Sequence, residues 1–186
     1  MSVDVPVARR RAWRAPAFVV VSVLVLAVCI TWAFFAMRAV MEVGGSCADG
    51  GPYVSAQPCP AGAGLIAIAI PVMIITAMAG SAAALSVQAP NLLIPMWGFL
   101  FGSLGWNFLE AGSTGPHLDW SSLVCGVVFE LMALPALLGI LAAIKVAVLP
   151  PNPPPPGTGS RWWVPAYAAL GAIGFLFGGW SFNALS

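Results

Sequence analysis

Few side chains in this sequence could do chemistry, and Glu130 is the foremost of them. It sits within the apolar run Cys125-Gly126-Val127-Val128-Phe129-Glu130-Leu131-Met132-Ala133. If a helix enters a membrane near Ser121, nine residues at 1.5 Å each carry Glu130 about 13 Å below the boundary, close to mid-membrane. An unpaired charge there costs about 2.5–3.5 kcal/mol on insertion scales, so the carboxyl should either be protonated or face a partner in the protein interior. Gly126 and Ala133, one turn away on the same helix face, would let another helix approach closely. Arg38 is the candidate partner, although it could instead pair only with Glu42 at i, i+4. Asn107 and Glu110 share a face at i, i+3, Ser103 continues it, and Asn183 lies near the end of the last apolar run. The sequence therefore predicts a polar cluster of Arg38, Asn107, Glu110, Glu130 and Asn183 in the outer half of the membrane. Three readings stay open for it: a network that fixes helix positions, a site for a ligand, lipid head group or partner, or a proton or ion pathway.

Cys47 and Cys59 share a loop rich in Gly and Pro, and a disulfide between them is expected. Closing about 13 residues would constrain the unfolded chain by roughly 3 kcal/mol in the chain-entropy model. A redox-active pair usually has two intervening residues at a helix N-terminus, and a zinc site of Cys47, Cys59 and His117 lacks ligand spacing. Cys29 and Cys125 lie in apolar runs as packing residues. The sequence shows no nucleophile elbow, P-loop, dinucleotide fingerprint or metal box. No catalytic residue, cofactor or metal is expected, and the protein is read as non-enzymatic.

The elements that must hold these groups are apolar helices. Hydrophobic residues make up 60% of the 186 and charged ones 7%, against roughly 25% charged in a soluble domain. With a mean hydropathy of +0.96, the chain reads as a polytopic membrane protein. The balance of 7 basic against 6 acidic residues leaves no surface for nucleic acid. The expected fold is an all-α bundle in one domain, with spans at about 17–41, 63–88, 92–109, 120–149 and 162–185. The first span is read as a retained anchor introduced by Pro16, being too long for a cleavable signal. Residues 42–62 form an outer loop. Residues 150–161 form a proline-rich cytoplasmic linker of extended, polyproline II type.

Arg9, Arg10, Arg11, Arg14, Lys145 and Arg161 all fall on one side of this arrangement, which predicts the N-terminus inside and the C-terminus outside. Gly98, Gly102 and Gly105, and again Gly171, Gly174 and Gly178, predict flat ridges for helix packing. Pro71, Pro95 and Pro135 are expected to lie inside spans and kink them. The eight tryptophans fall mostly near span ends, as in an interfacial belt.

Two motifs, Cys47-Ala48-Asp49-Gly50-Gly51-Pro52-Tyr53 with Cys59-Pro60, and Gly102-Ser103-Leu104-Gly105-Trp106-Asn107-Phe108-Leu109-Glu110, carry a family likeness. Over residues 17 to about 148 the chain resembles a group of uncharacterised integral membrane proteins from actinobacteria. The resemblance implies an inner (plasma) membrane protein with a two-cysteine outer loop, and it brings no activity. Expected partners are membrane lipids and either another membrane protein or further copies of the chain. The functional expectation is an accessory, assembly or lipid- or partner-interacting protein. A small proton- or cation-coupled transporter or channel using Glu130 is the alternative.

Overall fold

The computed structural model describes residues 5–45, 47, 58–114, 117–149 and 162–186. It is all-helical, with α1 over Val5–Glu42, α2 over Leu65–Ser86, α3 over Leu93–Thr114, α4 over Trp120–Val148 and α5 over Trp163–Leu185. Four of these are long and apolar enough to cross a membrane, namely α1 from Arg14 onward, α2, α4 and α5. Helix α3, at 22 residues, reaches about 33 Å and matches the hydrocarbon thickness of ~30 Å. Its polar residues Ser103, Asn107, Glu110, Ser113 and Thr114 leave it less apolar than those four spans.

Two boundaries and the place of one proline differ from the sequence expectation. Helix α1 begins at Val5, and Pro16 lies inside it rather than opening it. The Ala- and Arg-rich segment before Pro16 is good helix-forming sequence, and a helix need not stop where hydrocarbon does. Helix α3 runs on to Thr114, so Glu110 is helical rather than the first residue of a loop. Pro95 falls in the first turn of α3, where its missing N–H would have had no partner, so it need not kink that helix. Pro71 and Pro135 are interior, as expected. The linker 150–161 and most of the loop 42–62 lie outside the described residues.

Helix α1 is the hub. Its buried side chains Val23, Leu26 and Cys29 form a core with Ala69, Met73 and Ala77 of α2, Met96 of α3, and Leu92 just ahead of it. Small residues set the contacts. A Cβ on Gly174 would come 2.5 Å from Ala27 Cβ, and one on Gly178 2.8 Å from Thr31 Cβ, which fixes α5 against α1 in parallel. Gly171, expected on the same ridge, has nothing within 4 Å. Along α3, Gly98 faces Ala136, Gly102 faces Ala133, Gly105 faces Glu130 and Gly112 faces Leu123. The pairing descends α4 as it climbs α3, so the two form an antiparallel hairpin.

The two ends of the bundle are tied differently. At one end Cys47 and Cys59 are disulfide-bonded. Gly62, with φ +83°, lies beneath the Phe182 ring, where a Cβ would come within 2.9 Å of ring carbons. That position requires glycine twice over, for its backbone angle and for its clearance. At the other end the Tyr167 hydroxyl donates to the Pro90 carbonyl at 3.0 Å, and Ser81 and Asn91 bond at 2.8 Å. The Asn91 side chain also accepts from the Leu93 amide at 2.8 Å and caps α3.

Candidate functional site

Helix α3 presents opposite faces to its two neighbours, and this decides which polar groups can meet. Gly105 and Asn107 are two positions apart, about 200° around the helix. Gly98, Gly102, Gly105 and Gly112 turn toward α4, so Asn107 turns toward α1. Glu110, three positions on, follows it. The expected cluster is therefore two separate sites with α3 between them.

The first lies between α1 and α3. The Arg38 Nη2 donates to Glu110 Oε1 at 2.5 Å, and the Arg38 Nε is 3.8 Å from Glu42 Oε1. One turn below, Asn107 Nδ2 donates to the Phe34 carbonyl at 3.1 Å. Both rungs link the same helix pair, and α1 and α3 run parallel along them. Arg38 and Glu110 are partly exposed, with side chains 42% and 33% accessible, which suits a charged pair near a membrane boundary. Asn107 is 3% exposed, and its Oδ1 is buried without a hydrogen-bond partner. Glu110 also anchors the end of α3 through its carbonyl, which accepts from Thr114 Oγ1 at 2.8 Å and Ser113 Oγ at 3.2 Å. Ser103 returns its hydroxyl to the Leu100 carbonyl in its own helix at 2.9 Å.

The orphaned Oδ1 makes the sign of one substitution predictable. An interhelical hydrogen bond within a membrane protein is worth about 0.6 kcal/mol on average. A buried acceptor left unmade costs about 1–3 kcal/mol. Asn107→Leu removes both and nearly preserves volume, so it is expected to raise stability by about 1 kcal/mol. Thermal unfolding in detergent measures this, and a clear loss of stability would show that a donor reaches Oδ1 in the assembled protein.

The second site is Glu130, and here the expected partner is corrected. Arg38 is engaged by Glu110 and Glu42, on the far side of α3. The Glu130 carboxyl lies over Gly105, whose absent Cβ would sit 2.8 Å from Oε1 and 3.0 Å from Cδ. Glycine makes the room, and the backbone of α3 forms the floor. Around α4, Glu130 falls between the buried Gly126 and Ala133 and the exposed Val127 and Leu134, so it occupies the edge of the helix seam. It makes no ion pair or hydrogen bond with any described residue. Counting ten positions from Trp120 puts it about 15 Å along α4, half of a ~30 Å hydrocarbon thickness measured from Trp120. Asn183 is corrected as well: it is exposed on α5 and bonds to neither site.

Asp119 has no place in the sequence-derived cluster, although Asp-x-Ser-Ser ahead of an apolar run is a helix-start signal. It caps α4, accepting from the Ser121 amide at 3.0 Å and the Ser121 and Ser122 hydroxyls at 2.5 and 2.7 Å. The serine hydroxyl bonds pull its carboxyl down to about 2. The folded value lies below the unfolded one, near 3.9. The capping contribution is thus complete above about pH 4 and is lost as pH falls through about 2. Acidification across that window, and equally Asp119→Ala at neutral pH, is expected to speed amide exchange at the start of α4 without changing that of α2.

Among the described residues, no group of three or more His, Cys, Asp or Glu side chains comes together as a metal site would require. A partly buried polar contact absent from the sequence reading joins α1 to α5, where the Trp32 indole donates to Ser181 Oγ at 2.9 Å. No protein-family profile, curated protein or solved structure matches this chain.

Proposed function

We propose that the protein is a non-enzymatic integral membrane protein that works by lateral association, as an accessory or assembly component, with α4 as its contact helix. One observation carries this reading. Glu130 stands at mid-span on the edge of a helix that packs closely on α3 alone and exposes Val124, Val127, Leu131, Leu134, Leu138 and Leu141. No described residue supplies a cation or donor to it. A carboxyl in that position costs too much to be idle in lipid and is best explained by a group that comes from outside the chain. The basic residues support a topology with the N-terminus in the cytoplasm and the disulfide end outside, and the location proposed is a plasma membrane. The resemblance to actinobacterial membrane proteins agrees with that location.

A second reading, a small proton- or cation-coupled transporter, rests on the same carboxyl at the same depth. The two separate cleanly. Isolation in mild detergent is expected to recover a stoichiometric protein or lipid companion that Glu130→Leu loses, with no solute movement by the purified chain in liposomes. Recovery of the chain alone, together with a proton or cation flux that Glu130→Gln abolishes, would establish the transport reading instead.

A further inference from the structure

We infer that the α3–α4 seam at Glu130 is a docking site for a transmembrane helix of a different polypeptide carrying a lysine or arginine at mid-membrane depth. This rests on the association reading above and names the chemistry of the partner. The seam offers an acceptor-only group at a defined depth, set on a glycine floor at Gly105 and bordered by the exposed side chains of Val127 and Leu134. Charge complementarity selects the occupant, since acids inside membranes pair with bases or amides when they are kept.

A second copy of this chain is a poor match. Its spanning helices hold Arg38, which is engaged by Glu110 and Glu42 near the disulfide end. Lys145 is fifteen positions further along α4, about 22 Å from Glu130. Arg14 stands at the far start of the α1 span. None of these reaches mid-depth in a symmetric or parallel copy, so the complementary cation has to come from another protein.

The test uses the full chain reconstituted in phosphatidylcholine vesicles with synthetic single-span Leu/Ala peptides bearing Lys, Leu or Glu at the central position, read by energy transfer. The Lys peptide is expected to associate about tenfold more tightly than the Leu peptide. The preference should disappear in Glu130→Gln, whose near-identical shape keeps the seam folded, and should invert toward the Glu peptide in Glu130→Lys. Equal association of the Lys and Leu peptides would overturn the inference while leaving lateral association standing. Failure of every peptide to associate would overturn both. Self-association of the wild-type chain that Glu130→Gln abolishes would also overturn it, by making a second copy the occupant.

Discussion

Gly126→Ala is expected to destabilise the protein by about 1–3 kcal/mol, and Gly126→Val by more. A Cβ at Gly126 would lie 2.9 Å from the backbone nitrogen of Leu109 and 2.7 Å from its Cγ. The side chain could move, but the backbone of α3 cannot yield without opening the hairpin along its length. Intrinsic propensity acts the other way, since alanine is better than glycine in a helix interior by about 1 kcal/mol. The steric term wins because it is larger and is met by main chain. Gly171→Ala is the matched control. It has open space around its Cβ direction, so only the propensity gain remains and stability should be unchanged or slightly raised. Thermal unfolding of the two variants in one detergent compares them directly, and equal shifts would refute the close approach of α3 and α4.

Loss of the disulfide should have the other large effect. Cys47 and Cys59, twelve positions apart in sequence, close a loop whose unfolded freedom is worth roughly 3 kcal/mol in the chain-entropy model. Cys47→Ser and Cys59→Ser should each lower stability by about 2–4 kcal/mol, and the double variant should match the singles because one bond is lost in every case. The loop also carries Gly62 under the Phe182 ring. Loosening at the end of α5 is therefore expected along with loosening between α1 and α2. Hydrogen exchange at Ser181–Leu185 with and without reductant measures it, and unaltered exchange there would separate the disulfide from α5.

The helices themselves were legible because spanning helices announce themselves by apolar runs that no other element tolerates. The boundaries at Val5 and Thr114 were not, since hydropathy records where lipid ends and not where a helix ends. The residue types of the polar site could be read directly. Arg38, Asn107 and Glu110 do come together between α1 and α3. The inclusion of Glu130 failed for a reason present in the sequence itself. The glycine stripe through Gly105 and the polar stripe through Asn107 lie about 200° apart on one helix and cannot serve the same neighbour. Which neighbour takes which stripe depends on packing partners, and a single sequence does not contain them. Asn183 was placed by depth alone, and depth says nothing of the direction in which a side chain faces.

Helix α1 binds α5 as well as α2, and the ribosome delivers those two partners at very different times. Until α5 emerges, the indole of Trp32 and the small-residue trough around Ala27 and Thr31 stand without the Ser181 hydroxyl that later accepts from that ring. That face of α1 is thus completed only after α5 has been made. The first helix has to wait, and a nascent chain stalled before Trp163 would expose a sticky, polar-tipped groove that quality-control proteases could read as unfinished.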